Sequence, residues 1–83
     1  MNIEILTTVW SYMDEEEELV LKFEDDNSIV LCKSADRAAN IKHGMYATKI
    51  QPLGETICFP DEGLYIDATR IYMAKRRRRG VNL

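Results

Sequence analysis

Leu19-Val20-Leu21-Lys22-Phe23-Glu24-Asp25-Asp26-Asn27-Ser28-Ile29-Val30-Leu31-Cys32-Lys33 is the stretch that decides the fold class. Leu19, Leu21 and Phe23 alternate with Val20 and Lys22, the two-residue period of a strand. In Asp25-Asp26-Asn27-Ser28, the short polar side chains bond their own backbone, and Asn tolerates positive φ, so a turn is predicted there. Ile29–Lys33 is apolar and β-branched again. Residues 19–33 are therefore predicted to form a β-hairpin.

Toward the N-terminus, Ile3, Ile5, Thr7 and Val9 fall on one face of an extended segment, and Leu6, Trp10 and Tyr12 on the other. That alternation predicts a strand over residues 3–12, buried on one side and covered by aromatics on the other. The run Asp14–Glu18 is too densely charged to bury, so it is assigned to a surface loop or a frayed strand end. A patch for a basic partner is the alternative use of that run.

Toward the C-terminus, Ser34 suits a helix N-cap, Asp36 lies in the first turn, and Gly44 can end the helix. A short central helix is predicted there. Residues 45–51 and Glu55–Phe59 look extended around the Pro52-Leu53-Gly54 turn, which suggests a second hairpin. Asp67 can cap a helix from Ala68 to about Lys75, with Ala68, Ile71, Tyr72 and Lys75 at helical spacing. A final strand over residues 64–72 is the alternative. The predicted fold is α+β: a small antiparallel β-meander or two hairpins (roughly 4–5 strands), one short central helix and a C-terminal helix. A single domain spans residues 1–75, and residues 76–83 form a basic, disordered tail.

Composition narrows the function classes. The 83 residues are 46% hydrophobic and 30% charged, ordinary globular values that suffice for one core. No apolar stretch approaches the ~20 residues of a membrane span. Met1–Leu6 has neither the basic start nor the apolar core of a secretory signal, so a cytoplasmic chain is expected. Cys32 and Cys58 sit in strand-like apolar runs and are read as buried reduced thiols, although one disulfide is conceivable. The net charge of −3 is split into −8 over residues 1–31 and +5 over the rest. Such a dipole can steer a partner or promote head-to-tail association, so a homo-oligomer is plausible.

The segments Leu21-Lys22-Phe23-Glu24-Asp25-Asp26 and Gly54-Glu55-Thr56-Ile57-Cys58-Phe59-Pro60-Asp61, followed by Leu64 and Ile71-Tyr72, stand in a distinctive order. Strand, Phe and acidic turn precede Gly-x-x-Ile-x-aromatic-Pro-Asp and a late Ile-Tyr. Over residues 1–73 this resembles a bacterial family known as domain of unknown function 2442. The resemblance implies a small α+β fold with a β-meander and short helices. It also implies a setting beside small partner proteins of the toxin–antitoxin type, and it carries no agreed activity. The chain departs from the family in two places. Asp26-Asn27 stands where the family usually has a glycine, and the segment Cys32–Gln51 is shorter.

No arrangement of residues points to catalysis or a cofactor. His43 is the single histidine, and no flanking motif pairs it with Cys32 or Cys58 as a nucleophile. Those three residues lack the paired spacing of a zinc site. The acidic runs lack the glycine and closing glutamate of a calcium loop. Gly44, Gly54, Gly63 and Gly80 are too scattered to cradle a phosphate. Adjacent Asp61 and Glu62 do not face each other across a cleft. No cofactor, metal or enzymatic activity is therefore expected.

Two surface features remain. Lys75-Arg76-Arg77-Arg78-Arg79 can attract phosphates without sequence preference, which makes nucleic acid a candidate partner. The same run can instead solubilise a tail or meet the chain's own acidic half. Trp10, Tyr12, Tyr65 and Tyr72 are candidates for a protein interface if exposed, and for core or hairpin packing if not. The sequence thus favours a non-enzymatic protein-interaction module, antitoxin-like or accessory, with a nucleic-acid-associated protein as the alternative.

Overall fold

A computed structural model describes residues 1–33 and 45–78. The predicted central helix and His43 lie outside the described residues. The described chain runs α1 (Ile3–Tyr12), β1 (Glu17–Phe23), β2 (Ser28–Lys33), β3 (Met45–Ala47), β4 (Gln51–Leu53), β5 (Thr56–Phe59), β6 (Leu64–Asp67), a 3₁₀ turn (Ala68–Arg70) and β7 (Ile71–Arg78). Four strands form one sheet in the order β3-β2-β1-β7, and three form another in the order β4-β5-β6. The coarse α+β class therefore holds; among the described residues there are seven strands where the sequence predicts roughly 4–5, and the α-helix stands at the N-terminus where a strand is predicted.

The first correction is α1, where the alternation predicts a strand. Asn2 caps it, its side-chain oxygen accepting from the Glu4 N–H at 2.7 Å, and Glu4 suits the positive end of the helix dipole. Helical winding gathers Leu6 and Trp10 onto one buried face, with Met13 buried just beyond them at the C-cap, whereas a strand would have left apolar side chains on both of its faces. Thr7 and Ser11 donate their hydroxyls to the Glu4 and Thr8 carbonyls one turn back, which satisfies their polar atoms within the helix. The C-terminal end is closed from elsewhere. The Lys33 ammonium on β2 donates to the Trp10 and Met13 carbonyls at 2.7 and 3.0 Å, supplying the cation that a helix C-terminus favours.

The hairpin β1–β2 forms as the alternation predicts, with Leu19 opposite Leu31 and Leu21 opposite Ile29. Its turn closes through Phe23 N–H to Asn27 O at 2.9 Å and Asn27 N–H to Asp25 Oδ1 at 3.2 Å. Asp26 takes the left-handed backbone, φ 67°, at the turn where the resembled family usually has a glycine. A β-branched side chain is poorly accommodated there. Asp26→Val is expected to cost about 1–2 kcal/mol, and Asp26→Gly no more than about 0.5 kcal/mol, because glycine's relief of strain is offset by its unfolded-state entropy. Urea denaturation of both variants checks this; equal losses would remove the backbone explanation.

The second hairpin is shorter than predicted. Met45–Ala47 runs parallel to β2 in the first sheet, and only Gln51–Leu53 turns back onto Thr56–Phe59. The reversal falls at Gly54-Glu55, where Gly54 has φ 60°. Pro52 is tolerated because β4 is an edge strand.

The predicted C-terminal helix is also corrected. Asp67 does act as a cap, accepting from the Thr69 N–H at 3.0 Å, but it caps a single 3₁₀ turn. The chain then extends as β7, antiparallel to β1. Arg76, Arg77 and Arg78 accordingly lie in a strand and not in a disordered tail. A helix would have confined those three cations to about one turn; the strand sets them opposite the acidic start of β1. The register shifts between Lys22 and Phe23, so that Tyr72 is an extra residue in β7, a β-bulge.

One buried cluster joins α1 to both sheets. Leu6 and Trp10 of α1 and its C-cap residue Met13 meet Leu19, Leu21, Leu31, Ile57, Phe59, Ile66 and Ile71 from the two sheets. Trp10 packs edge-on against Phe59, ring centroids 5.1 Å apart. Its indole N–H donates to the Thr48 carbonyl at 3.2 Å.

Candidate interaction surfaces

Trp10 is 2% exposed, so it is a core residue and leaves the set of predicted interface aromatics. The helix turns it inward, a placement that strand alternation does not anticipate. Tyr12, Tyr65 and Tyr72 are 73%, 64% and 57% exposed. They lie on α1, β6 and β7, so the exposed aromatics are distributed over three elements. Cys32 and Cys58 are buried, the Cys32 thiol donating to the Glu18 carboxylate at 3.8 Å.

Tyr65 lies beside an open groove of about 270 Å³ between the two sheets. Phe23, Ile29 and Met45 line it from the first sheet, and Leu64, Tyr65 and Ile66 from β6. Asp67 and Arg70 are its polar members. Sequence reasoning missed five of these six apolar residues, because the groove exists only once the two sheets are placed together. The β6 strand is the last of its sheet, so its outer edge lies unpaired among the described residues.

The groove's charged residues are held in place locally. Arg70 reaches Glu24 and Asp25, each at 3.5 Å, and its carbonyl accepts from the Glu24 N–H. The Thr69 hydroxyl donates to Asp67 at 2.6 Å. This bond, with the Thr69 N–H, holds the Asp67 carboxyl below its ordinary 3.8. A carboxyl depressed in the folded state adds stability above its unfolded pKa and loses that contribution as pH falls through the lowered value. Thr69→Ala is expected to return Asp67 upward and to move the acid side of the stability profile to higher pH. An NMR titration of the Asp67 carboxyl tests this, and an unchanged value would remove the hydroxyl as the cause.

Lys75–Arg78, the predicted phosphate-contacting residues, are exposed along β7, while Arg79 lies outside the described residues. Arg76 pairs with Glu17 at 3.1 Å, Arg77 with Glu18 at 2.6 Å and Arg78 with Glu16 at 2.6 Å. The basic run thus meets the chain's own acidic half, one of the alternatives open from the sequence. The legible signal is that the acidic and basic runs are similar in length and opposite in sign.

A second, larger depression of about 600 Å³ lies among α1, the 3₁₀ turn and the Gly54-Glu55 reversal. Glu4 and Glu55 are its ionisable side chains, and no cysteine, serine or histidine lines it. Among the described residues no three His, Cys, Asp or Glu side chains gather as a metal site, and no helix is long and apolar enough to cross a membrane. Comparison with family models, curated proteins and solved structures yields no match to this chain.

Proposed function

We propose that this chain is a non-enzymatic protein-interaction module that receives an extended, apolar segment of a partner along the outer edge of β6. The observation that carries this is the coincidence of an unpaired strand edge with the apolar groove beside it. Strand addition uses these two elements: main-chain hydrogen bonds along the edge give affinity, and a pocket for alternate side chains gives selectivity. Tyr65 offers an exposed aromatic anchor of the kind that dominates such contacts. Glu24, Asp25 and Asp67 outnumber Arg70 around the groove, so an apolar side chain flanked by Lys or Arg is the best match. The antitoxin-like role implied by the family resemblance is of the same kind, a small chain that covers part of a partner's surface.

Selection of displayed random peptides on the full chain tests this. Enrichment of apolar residues next to Lys or Arg is expected, with Tyr65→Ser weakening the selected peptides at least tenfold and Tyr12→Ser leaving them unchanged. Peptides that bind both variants alike would reject the site.

A further inference from the structure

We infer that the Glu16–Glu18 run is an intramolecular screen over an anion-binding strip, Lys75–Arg78, whose ligand when the screen is displaced is a single-stranded nucleic acid. The inference is independent of the groove on β6. Its first support is the match of charges across the β1–β7 pair, one carboxylate for each arginine. The second is exposure. The arginine side chains are 47%, 50% and 60% exposed, whereas Glu17 and Glu18 are 19% and 10% exposed. Arg76 and Arg77 therefore face solvent over carboxylates that are less exposed than they are, while Glu16, 73% exposed, lies beside Arg78 in solvent.

The third support is unused capacity. The pairs employ Nε of Arg76 and Arg77 and one Nη of Arg78, while a guanidinium has five N–H donors. Lys75, on the same face of β7 as Arg77, is exposed and makes no ion pair among the described residues, while Arg76 and Arg78 share the opposite face. A ligand that prevails here must outcompete resident carboxylates. A polymer of phosphodiesters does so by releasing its condensed counterions and by stacking its bases, the second a gain that an acidic peptide lacks. Tyr72, 57% exposed on the same strand, adds a ring on which a base can stack. In this arrangement the intact chain holds nucleic acid weakly, and loss of the screen raises its affinity.

Fluorescence anisotropy with a labelled oligo-dT of about 12 nucleotides tests this on the full chain. Glu16→Gln/Glu17→Gln opens the screen and leaves the buried Glu18 in place. Glu4→Gln/Glu55→Gln changes net charge equally, away from the strip. The screen variant is expected to bind about tenfold more tightly than that control. Its log–log salt slope is expected to be steeper by about 1.4, near 0.7 for each freed arginine. Adding Arg76→Gln/Arg78→Gln to the screen variant is expected to abolish the gain. An equal gain in the control, or an equal gain for labelled poly-glutamate, would overturn the inference. Should the double variant lose its circular-dichroism signature, Glu16→Gln alone is expected to give about a threefold gain over Glu4→Gln, and no gain would overturn it.

Discussion

Trp10→Ala is expected to remove about 3–5 kcal/mol of stability, the usual range for deleting a buried large aromatic. Stability for a chain of this length is about 4–12 kcal/mol in total, so the loss is a large fraction of what holds the chain folded. Three losses act together. The edge-on contact with Phe59 disappears, the Thr48 carbonyl loses its indole donor, and the Lys33 ammonium loses the ring face 5.9 Å away. Trp10→Phe keeps an aromatic ring and loses the donor, so a smaller loss of about 1–3 kcal/mol is expected. Urea denaturation of both variants orders these effects. A folded, stable Trp10→Ala with impaired partner binding would instead return Trp10 to the interface. A loss below about 1 kcal/mol would contradict its place at the centre of the core.

The distinction matters because Thr48 connects the core to the surface. Its N–H and hydroxyl donate to Glu62 and Asp61, in the turn that leads from β5 into β6. Trp10 thus fixes the segment between β3 and β4 from below while Asp61 and Glu62 fix it from above. The sheet that carries the proposed docking edge is therefore positioned partly by a residue on α1. Binding losses in Trp10 variants are expected to follow their stability losses and not exceed them.

The parts of this fold that sequence reasoning recovers are local. Residues 19–33 contain both strands and their turn, and the alternation places Leu19, Leu21 and Leu31 together on the core face, although Val20 and Cys32 on the opposite face are buried as well. Residues 3–12 satisfy two templates at once. The alternation of Ile3, Ile5, Thr7 and Val9 suits a strand, while the spacing of Leu6, Trp10 and Met13 suits a helix. The decision rests with Asn2 and with the depth at which Leu6 and Trp10 are buried, neither of which periodicity alone weighs. Asp67 is a true cap, yet the 3₁₀ turn it begins has only three residues. The conformation of residues 71–78 is decided far away in sequence, by pairing along β1, where the partners of Arg77 and Arg78 lie 59 and 62 residues off. The parallel pairing of β3 with β2 and the groove beside β6 are likewise products of topology. The segments involved have no local mark that distinguishes them from ordinary hairpin strands.

Arg77→Ala is expected to be the most costly of the three arginine replacements on β7, by about 2–3 kcal/mol, because it strands a carboxylate that is 10% exposed. Arg78→Ala removes a bond of the same 2.6 Å length, but its partner Glu16 is 73% exposed and regains water at once. Its expected cost is no more than about 0.5 kcal/mol, in line with surface pairs generally. Arg76→Ala falls between, since Glu17 is 19% exposed. Equal distances with unequal costs would identify desolvation, and not Coulomb attraction, as the quantity that sets the worth of each pair. A double-mutant cycle isolates the effect. Glu18→Gln in the Arg77→Ala background is expected to restore about 1 kcal/mol or more, because a neutral amide is cheaper to bury than an unpaired carboxylate. If all three arginine variants lose the same stability, the ladder acts as a uniform field and the buried position of Glu18 is irrelevant to it. If the order is Arg77, Arg76, Arg78, the strip is anchored at one pair and held loosely at the outer two. The loosely held pairs are then the ones that a competing anion can open without unfolding the sheet.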